Sequence, residues 1–229
     1  MHELPKAASR DRQPGSSPKP PSLWAAGVAC LALGIGFFAA LSGLTRGLQV
    51  WTLDDRRGLA VAEGRLIAPP VALRDALGRR FVPWTPAARA DRVYLVDFIY
   101  TRCATVCVAL GAEFFQLQQR IRAGALAGRV ELLSVSIDPD PDHDDARSLA
   151  AYGLQQHADP AAWRIGAPLT AASKAALLRS LDVVAIPDGL GGYVHNGEIH
   201  LIDARGVVRG LYDYSAFNDA LAAAQQALR

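Results

Sequence analysis

Cys103 and Cys107 stand four positions apart in the run Cys103-Ala104-Thr105-Val106-Cys107, and no other pair of side chains in the chain is so clearly spaced for chemistry. They follow a β-prone run, Val93-Tyr94-Leu95-Val96-Asp97-Phe98-Ile99-Tyr100. They also open a segment in which Val106, Leu110, Phe114, Leu117 and Ile121 recur at three- and four-residue steps. The pattern predicts a strand covered on both faces, then a helix from about Cys103 to Arg122. At a helix start, backbone amides and the macrodipole favour thiolate over thiol. Four positions along a helix put both sulfurs on one face, one turn apart. At a Cα separation of about 6 Å the pair can share one metal ion or close a disulfide. Unpaired cysteine is also among the most buried residue types, so a core role is the alternative. Two intervening residues are usual in dithiol oxidoreductases; three argue for metal capture or for slower redox cycling.

Soft thiolates select Cu(I) and imidazole also suits Cu(II), so one histidine beside the pair makes a site for both oxidation states. His143, His157, His195 and His200 are available. His143 sits in the acidic run Asp138–Asp145 and His157 at the end of a predicted helix, and both are expected at the solvated surface. His195 follows Gly189-Leu190-Gly191-Gly192, and His200 lies one step inside a strand. Composition alone does not choose between these two. Asp97, inside the buried strand, is expected to be a hydrogen-bonded structural carboxylate, with help in thiol proton transfer as the other role open to it. The acidic run Asp138–Asp145 is expected to be a solvated loop, with contact to a partner as the alternative.

The elements that must position these residues follow from patterning. Val71 to Phe81 predicts a hairpin turning near Leu77-Gly78. A second buried strand covers Val130 to Ile137 and ends at Asp138-Pro139. Asp144 or Asp145 caps a helix to about His157, Trp163-Arg164-Ile165 is a short strand, and Thr170 caps a helix to Leu181. Ile199–Asp203 and Val207–Leu211 form a hairpin through Ala204-Arg205-Gly206, and Ser215 caps a last helix. Strand, helix, strand, helix, then hairpin and closing helix is the order of a thioredoxin-like α/β domain.

The 229 residues are 51% hydrophobic and 20% charged with a net charge of +2, which excludes a mostly disordered chain and carries no nucleic-acid footprint. Three cysteines cannot all pair within the chain. From Leu23 to Leu41 the sequence is almost wholly apolar, long enough for one transmembrane helix. Lys6, Arg10, Arg12 and Lys19 outnumber Glu3 and Asp11 before it, which keeps the N-terminus cytoplasmic and sends everything after Arg46 across the membrane. A cleaved signal peptide is the alternative, with Ala39-Ala40-Leu41-Ser42-Gly43 as its cleavage region, but its apolar core is usually shorter. Lipidation of Cys30 is disfavoured because most of the apolar run follows it. The predicted organisation is a disordered cytoplasmic tail (1–22), an anchor (23–45), a tether with some short strand structure (46–67) and the thioredoxin-like domain (68–229).

Asp97-Phe98-Ile99-Tyr100-Thr101-Arg102-Cys103-Ala104-Thr105-Val106-Cys107, Ser134-Val135-Ser136-Ile137-Asp138-Pro139-Asp140-Pro141-Asp142, and Val194-His195 leading into Leu201-Ile202-Asp203-Ala204-Arg205-Gly206 together resemble the Sco/SenC family. The resemblance covers roughly Ala68 to Arg229. It implies a membrane-anchored, thioredoxin-like copper protein of cytochrome c oxidase assembly, with Cys103, Cys107 and His195 as metal ligands; His200 then matches no ligand. It implies a chaperone delivering copper to the dinuclear copper site of an oxidase subunit, with other periplasmic copper chaperones or thiol reductants as further partners. A thiol–disulfide reductase using Cys103 and Cys107 as a redox dithiol, and a redox or copper sensor, are the alternatives. The family commonly has Pro directly after the second cysteine and often after the first. Here Val108 and Ala104 stand there, a change in loop rigidity that leaves all three ligands.

Overall fold

The computed structural model describes residues 22–85, 91–103, 106–138, 144–187, 193–195 and 197–229, without the side chains of 106–108, 187 and 193–195. The expected tail 1–22 falls almost entirely outside the described residues, as does His143. The described chain forms two compact units, residues 1–51 and Thr52–Arg229.

The first unit holds α1 (Leu23–Leu44), whose N-cap Ser22 accepts a hydrogen bond from the amide of Ala25. This helix is long and apolar enough to cross a membrane and has no buried residues. Cys30 lies on it, exposed.

The second unit opens on α2 (Leu53–Ala62), within the segment expected to be a tether with short strands. Thr52 caps it: Thr52 Oγ1 accepts from the Asp55 amide at 3.0 Å, and Asp55 Oδ2 accepts from the Thr52 amide at 2.9 Å. That reciprocal cap satisfies two orphan donors, and Asp54 and Asp55 suit the positive end of the helix dipole. The compact unit therefore begins earlier than the boundary expected at Ala68.

β1 (Leu73–Asp75) and β2 (Arg80–Phe81) form the expected hairpin, turning through Gly78 at φ +77°. Then come β3 (Val93–Ile99), α3 (Val106–Ala123), β4 (Val130–Ser136), α4 (Ala146–Gln155), β5 (Trp163–Pro168) and α5 (Ala171–Ser180). β6 (Ala185–Pro187) and β7 (Tyr193–His195) pair antiparallel, and β8 (Glu198–Asp203), β9 (Val208–Asp213) and α6 (Phe217–Ala227) close the fold. Among the described residues, seven strands make one sheet in the order β2-β1-β5-β4-β3-β8-β9. β3, β4 and β5 run parallel, joined by helices as such pairs require.

Two apolar layers cover the sheet. Val93, Leu95 and Ile99 of β3 face Leu110, Phe114, Leu117 and Ile121 of α3 together with α6, while Tyr94, Val96 and Phe98 face Leu177 of α5, Leu66 and Trp84. β3 is buried at every position, so it reads in sequence as a continuous apolar run rather than an alternating one.

Two local expectations change and one is decided. The described part of α3 runs from Val106, and Cys103 itself is not helical; its amide donates to Tyr100 O at 3.0 Å, closing a turn after β3. Ser215 is not the cap of α6: Asp213 accepts from the Ser215 amide over a short 3-10 turn, and α6 follows without a side-chain cap. Of the two capping candidates expected, Asp144 and Asp145, Asp145 is the N-cap of α4.

Candidate functional site

The site grows from the C-terminal end of β3. Residues 100–103 turn away from the sheet, leaving Cys103 at 6% exposure among Tyr100, Leu110, Phe114 and the rest of that layer. Cys107 is the second residue of α3. Its side chain and residues 104–105 lie outside the described part.

The end of β4 lies beside this turn. The Ile137 amide donates to Ile99 O at 2.7 Å. Asp138, buried at 1%, stands 3.9 Å through Oδ2 from Arg102 Nε. Lys174 of α5 donates to Asp138 O and, at 2.9 Å, to Asp144 Oδ2. Asp138 is buried and the Asp144 side chain is 8% exposed, each beside a cation, whereas Asp145 is exposed as a solvated loop would have it; residues 139–143 lie outside the described part.

His195 is the last residue of β7 and pairs in register with Ala185 of β6. β8 runs antiparallel to β3 with Val96 opposite His200 and Val93 opposite Asp203, so the start of β8 lies at the C-terminal end of β3. The Cys103 turn and the start of β8, three residues after His195, therefore come to one edge of the sheet. That edge, beyond the carboxyl ends of parallel strands, is where open α/β sheets place their ligand sites. The His195 side chain lies outside the described part.

His200 is not at this edge. It is fully buried on the opposite layer, its ring edge-on to Phe98 with centroids 5.2 Å apart. Burial, with the charge of Arg57 adding to it, pushes its pKa down to about 3. His157 is exposed just beyond α4, at φ +56°.

Asp97 departs from expectation. It is fully buried in β3, and neither carboxyl oxygen has a partner in hydrogen-bonding geometry. Burial pushes its pKa up to about 7, which the neighbouring Ser134 hydroxyl offsets only in part. Ser134, its register partner in β4, accepts from Trp163 Nε1 at 2.9 Å.

Sequence reasoning missed Arg57 and Glu198, which meet in an ion pair of 2.5 Å. A charge within a short helix of low apolar content gives no periodic signal; only its place inside a well-capped helix could have pointed to it.

The SCO1/SenC family model matches residues 67–228. The SCO1 protein homolog of Bacillus subtilis (strain 168) is 28% identical over 123 residues, covering 54% of this chain and 62% of the relative, less than two thirds of its length. The structure of Bradyrhizobium japonicum ScoI with copper bound is 23% identical, with a TM-score of 0.57 over 71% of this chain and 99% of that one. The structure of BsSco, described as a member of the Sco family of cytochrome c oxidase assembly proteins with a disulfide switch, is 19% identical. Its TM-score is 0.60, over 71% of this chain and 94% of that one. At these identities the structural likeness establishes the thioredoxin-like fold.

Proposed function

Because the chain belongs to the SCO1/SenC family, we propose that it is a membrane-anchored copper chaperone whose Cys103, Cys107 and His195 hold copper as cargo. The observation that supports this reading most is that the Cys103 turn and the start of β8, three residues after His195, lie at the same end of the sheet. Two thiolates and an imidazole suit both Cu(I) and Cu(II), so the donor set fits the metal. Copper leaves by ligand exchange to the dinuclear copper site of a cytochrome c oxidase subunit, the class of assembly named for BsSco. α1 crosses the inner membrane with the N-terminus cytoplasmic and the domain periplasmic. Holding donor and acceptor on one surface raises their effective concentration. Other periplasmic copper chaperones or thiol reductants load or reduce the site.

The spacing of Cys103 and Cys107 supports a second reading, reduction of a disulfide between the oxidase's copper-ligand cysteines. Two electrons and two protons would pass from the dithiol to that disulfide, leaving Cys103 and Cys107 joined. Cys103 at 6% exposure favours exchange of a small ion over attack on a bulky disulfide.

The test is copper stoichiometry of the full chain in detergent, dialysed against a competing chelator. One copper per chain is expected, with loss of at least tenfold in retention for Cys107→Ser and for His195→Ala. Unchanged retention in both variants would show the ligand assignment wrong. For the second reading, the rate at which the metal-free protein reduces an oxidised copper-site peptide decides; no acceleration over glutathione excludes it.

A further inference from the structure

The helix that leads into the domain carries a buried guanidinium. Arg57 of α2 is 4% exposed, and arginine is almost never so buried without partners. Its Nη1 lies 2.5 Å from Oε2 of Glu198, the first residue of β8. Its Nη2 lies 3.4 Å from Nε2 of His200. Asp54, one turn earlier in α2, is 3.9 Å from Nη1, but its side chain is 84% exposed. A guanidinium only donates, so His200 Nε2 is the acceptor and the ring's proton sits on Nδ1. Phe98 braces the ring from the side. Arg57 thus joins α2 to two alternate residues at the start of β8, both on the face of the sheet away from α3.

Those two residues stand just after His195. β6 and β7 form a two-stranded sheet of their own, and among the described residues no ladder joins it to the main sheet. The main sheet carries Cys103 at the end of β3. His195 is held on one side by its register partner Ala185, which packs against the layer holding Phe98 and Leu177, and on the other by where the chain enters β8, and Glu198 is that point of entry. We propose that Arg57 is a positioning residue for His195: by clamping Glu198 and His200 it fixes the start of β8 and so the place at which β7 delivers His195 to the cysteine turn. On this account α2 is part of the copper site's scaffold as well as the lead from the anchor. The proposal rests on the reading of His195 as a ligand.

Arg57→Lys tests it with the least disturbance. The ammonium keeps the charge, but it is a compact point donor and does not span Glu198 and His200 as the planar fork does. Glu198→Gln removes the ion pair from the other side and keeps the shape. Both are made in the full chain in detergent, alone and combined with His195→Ala, and thermal unfolding confirms that each is folded. In the metal-free proteins, backbone hydrogen exchange over residues 193–200 is expected to quicken about tenfold while exchange in β4 is unchanged. With Cu(II) as probe, affinity against a competing chelator is expected to fall about tenfold, with a changed copper hyperfine splitting in the electron paramagnetic resonance spectrum. In the His195→Ala background neither substitution has a further effect on Cu(II), because coupled residues are non-additive. Equal weakening in both backgrounds, or unchanged exchange and affinity, overturns the proposal. If His195→Ala alone leaves Cu(II) affinity unchanged, the ligand reading has failed. Exchange over 193–200 then decides the positioning claim by itself: quickened exchange upholds it and unchanged exchange overturns it.

Discussion

Asp97 and His200 are both wholly buried, on opposite faces of the sheet, and their titrations pull stability in opposite directions. Burial raises Asp97 to about 7 from an ordinary 3.8, so the folded state keeps a proton that the unfolded chain releases. Its contribution is complete below about pH 4 and is lost as pH rises through 7. Burial, then the Arg57 charge, lowers His200 to about 3 from an ordinary 6.5. Its contribution is complete above pH 6.5 and is lost as pH falls through 3. Shifts of this size correspond to roughly 4–5 kcal/mol each over their windows, so between about pH 4 and 6.5 the two slopes largely cancel. Replacing either group exposes the other. The difference in unfolding free energy between Asp97→Asn and the parent, from urea titrations at pH 4.5 and 6.5, should move in favour of the variant as pH rises. The difference for His200→Gln should move against the variant over the same interval. Differences independent of pH would show that neither group titrates between folded and unfolded states as its burial demands.

At the scale of elements, the turn between β8 and β9 shows how a loop is made rigid. Asp203 accepts from the amides of Arg205 and Val207 at 2.9 and 3.0 Å and pairs with Arg209 at 2.7 Å. Gly206 sits at φ +91°, where an added Cβ would stand 2.5 Å from the carbonyl oxygen of Ala68. Gly206→Ala should therefore cost about 2 kcal/mol or more, from left-handed backbone strain and displacement of the segment carrying Leu66 and Ala68. A fall of several degrees in Tm checks it, and an unchanged Tm would refute the close approach. This hairpin, β3, β4 and α3 were legible in the sequence because burial leaves a continuous apolar run in a strand and a 3.6-residue period in a helix. Other elements were not. α2 places Arg57, a charge, on its buried side, which erases the apolar stripe that would announce it. β6 and β7 are three residues each, too short for any period to register. The cysteine pair was legible from spacing, and only the family resemblance separated His195 from His200. In the fold His200 is fully buried against Phe98, and one residue's neighbours in sequence do not encode such burial. Asp97 shows the same: what a buried carboxylate meets is a feature of packing, and here it is Ser134, whose hydroxyl offsets the burial only in part.

Across the whole molecule, the chain divides between an apolar helix and a domain of ordinary polarity. α1 carries no ionisable group apart from the Cys30 thiol, and four basic residues precede it against two acidic ones. After it comes Arg46, and then Asp54, Asp55, Arg56 and Arg57 nearly balance one another. Only the leading side has a marked excess of Lys and Arg, and such an excess is retained on the cytoplasmic face during insertion. If α1 spans the membrane in that sense, protease added to spheroplasts should digest Thr52–Arg229 while an epitope at the N-terminus stays protected until the membrane is lysed. An aqueous maleimide should label Cys30 only after denaturation, because the hydrocarbon layer excludes it, whatever the state of Cys103 and Cys107. Replacing Lys6, Arg10, Arg12 and Lys19 with Gln removes the asymmetry and should place a measurable share of chains in the reverse sense. Protection of the domain, with a digestible N-terminus, in the parent chain would reverse the orientation. It would also remove the premise that copper is handed over on the periplasmic side.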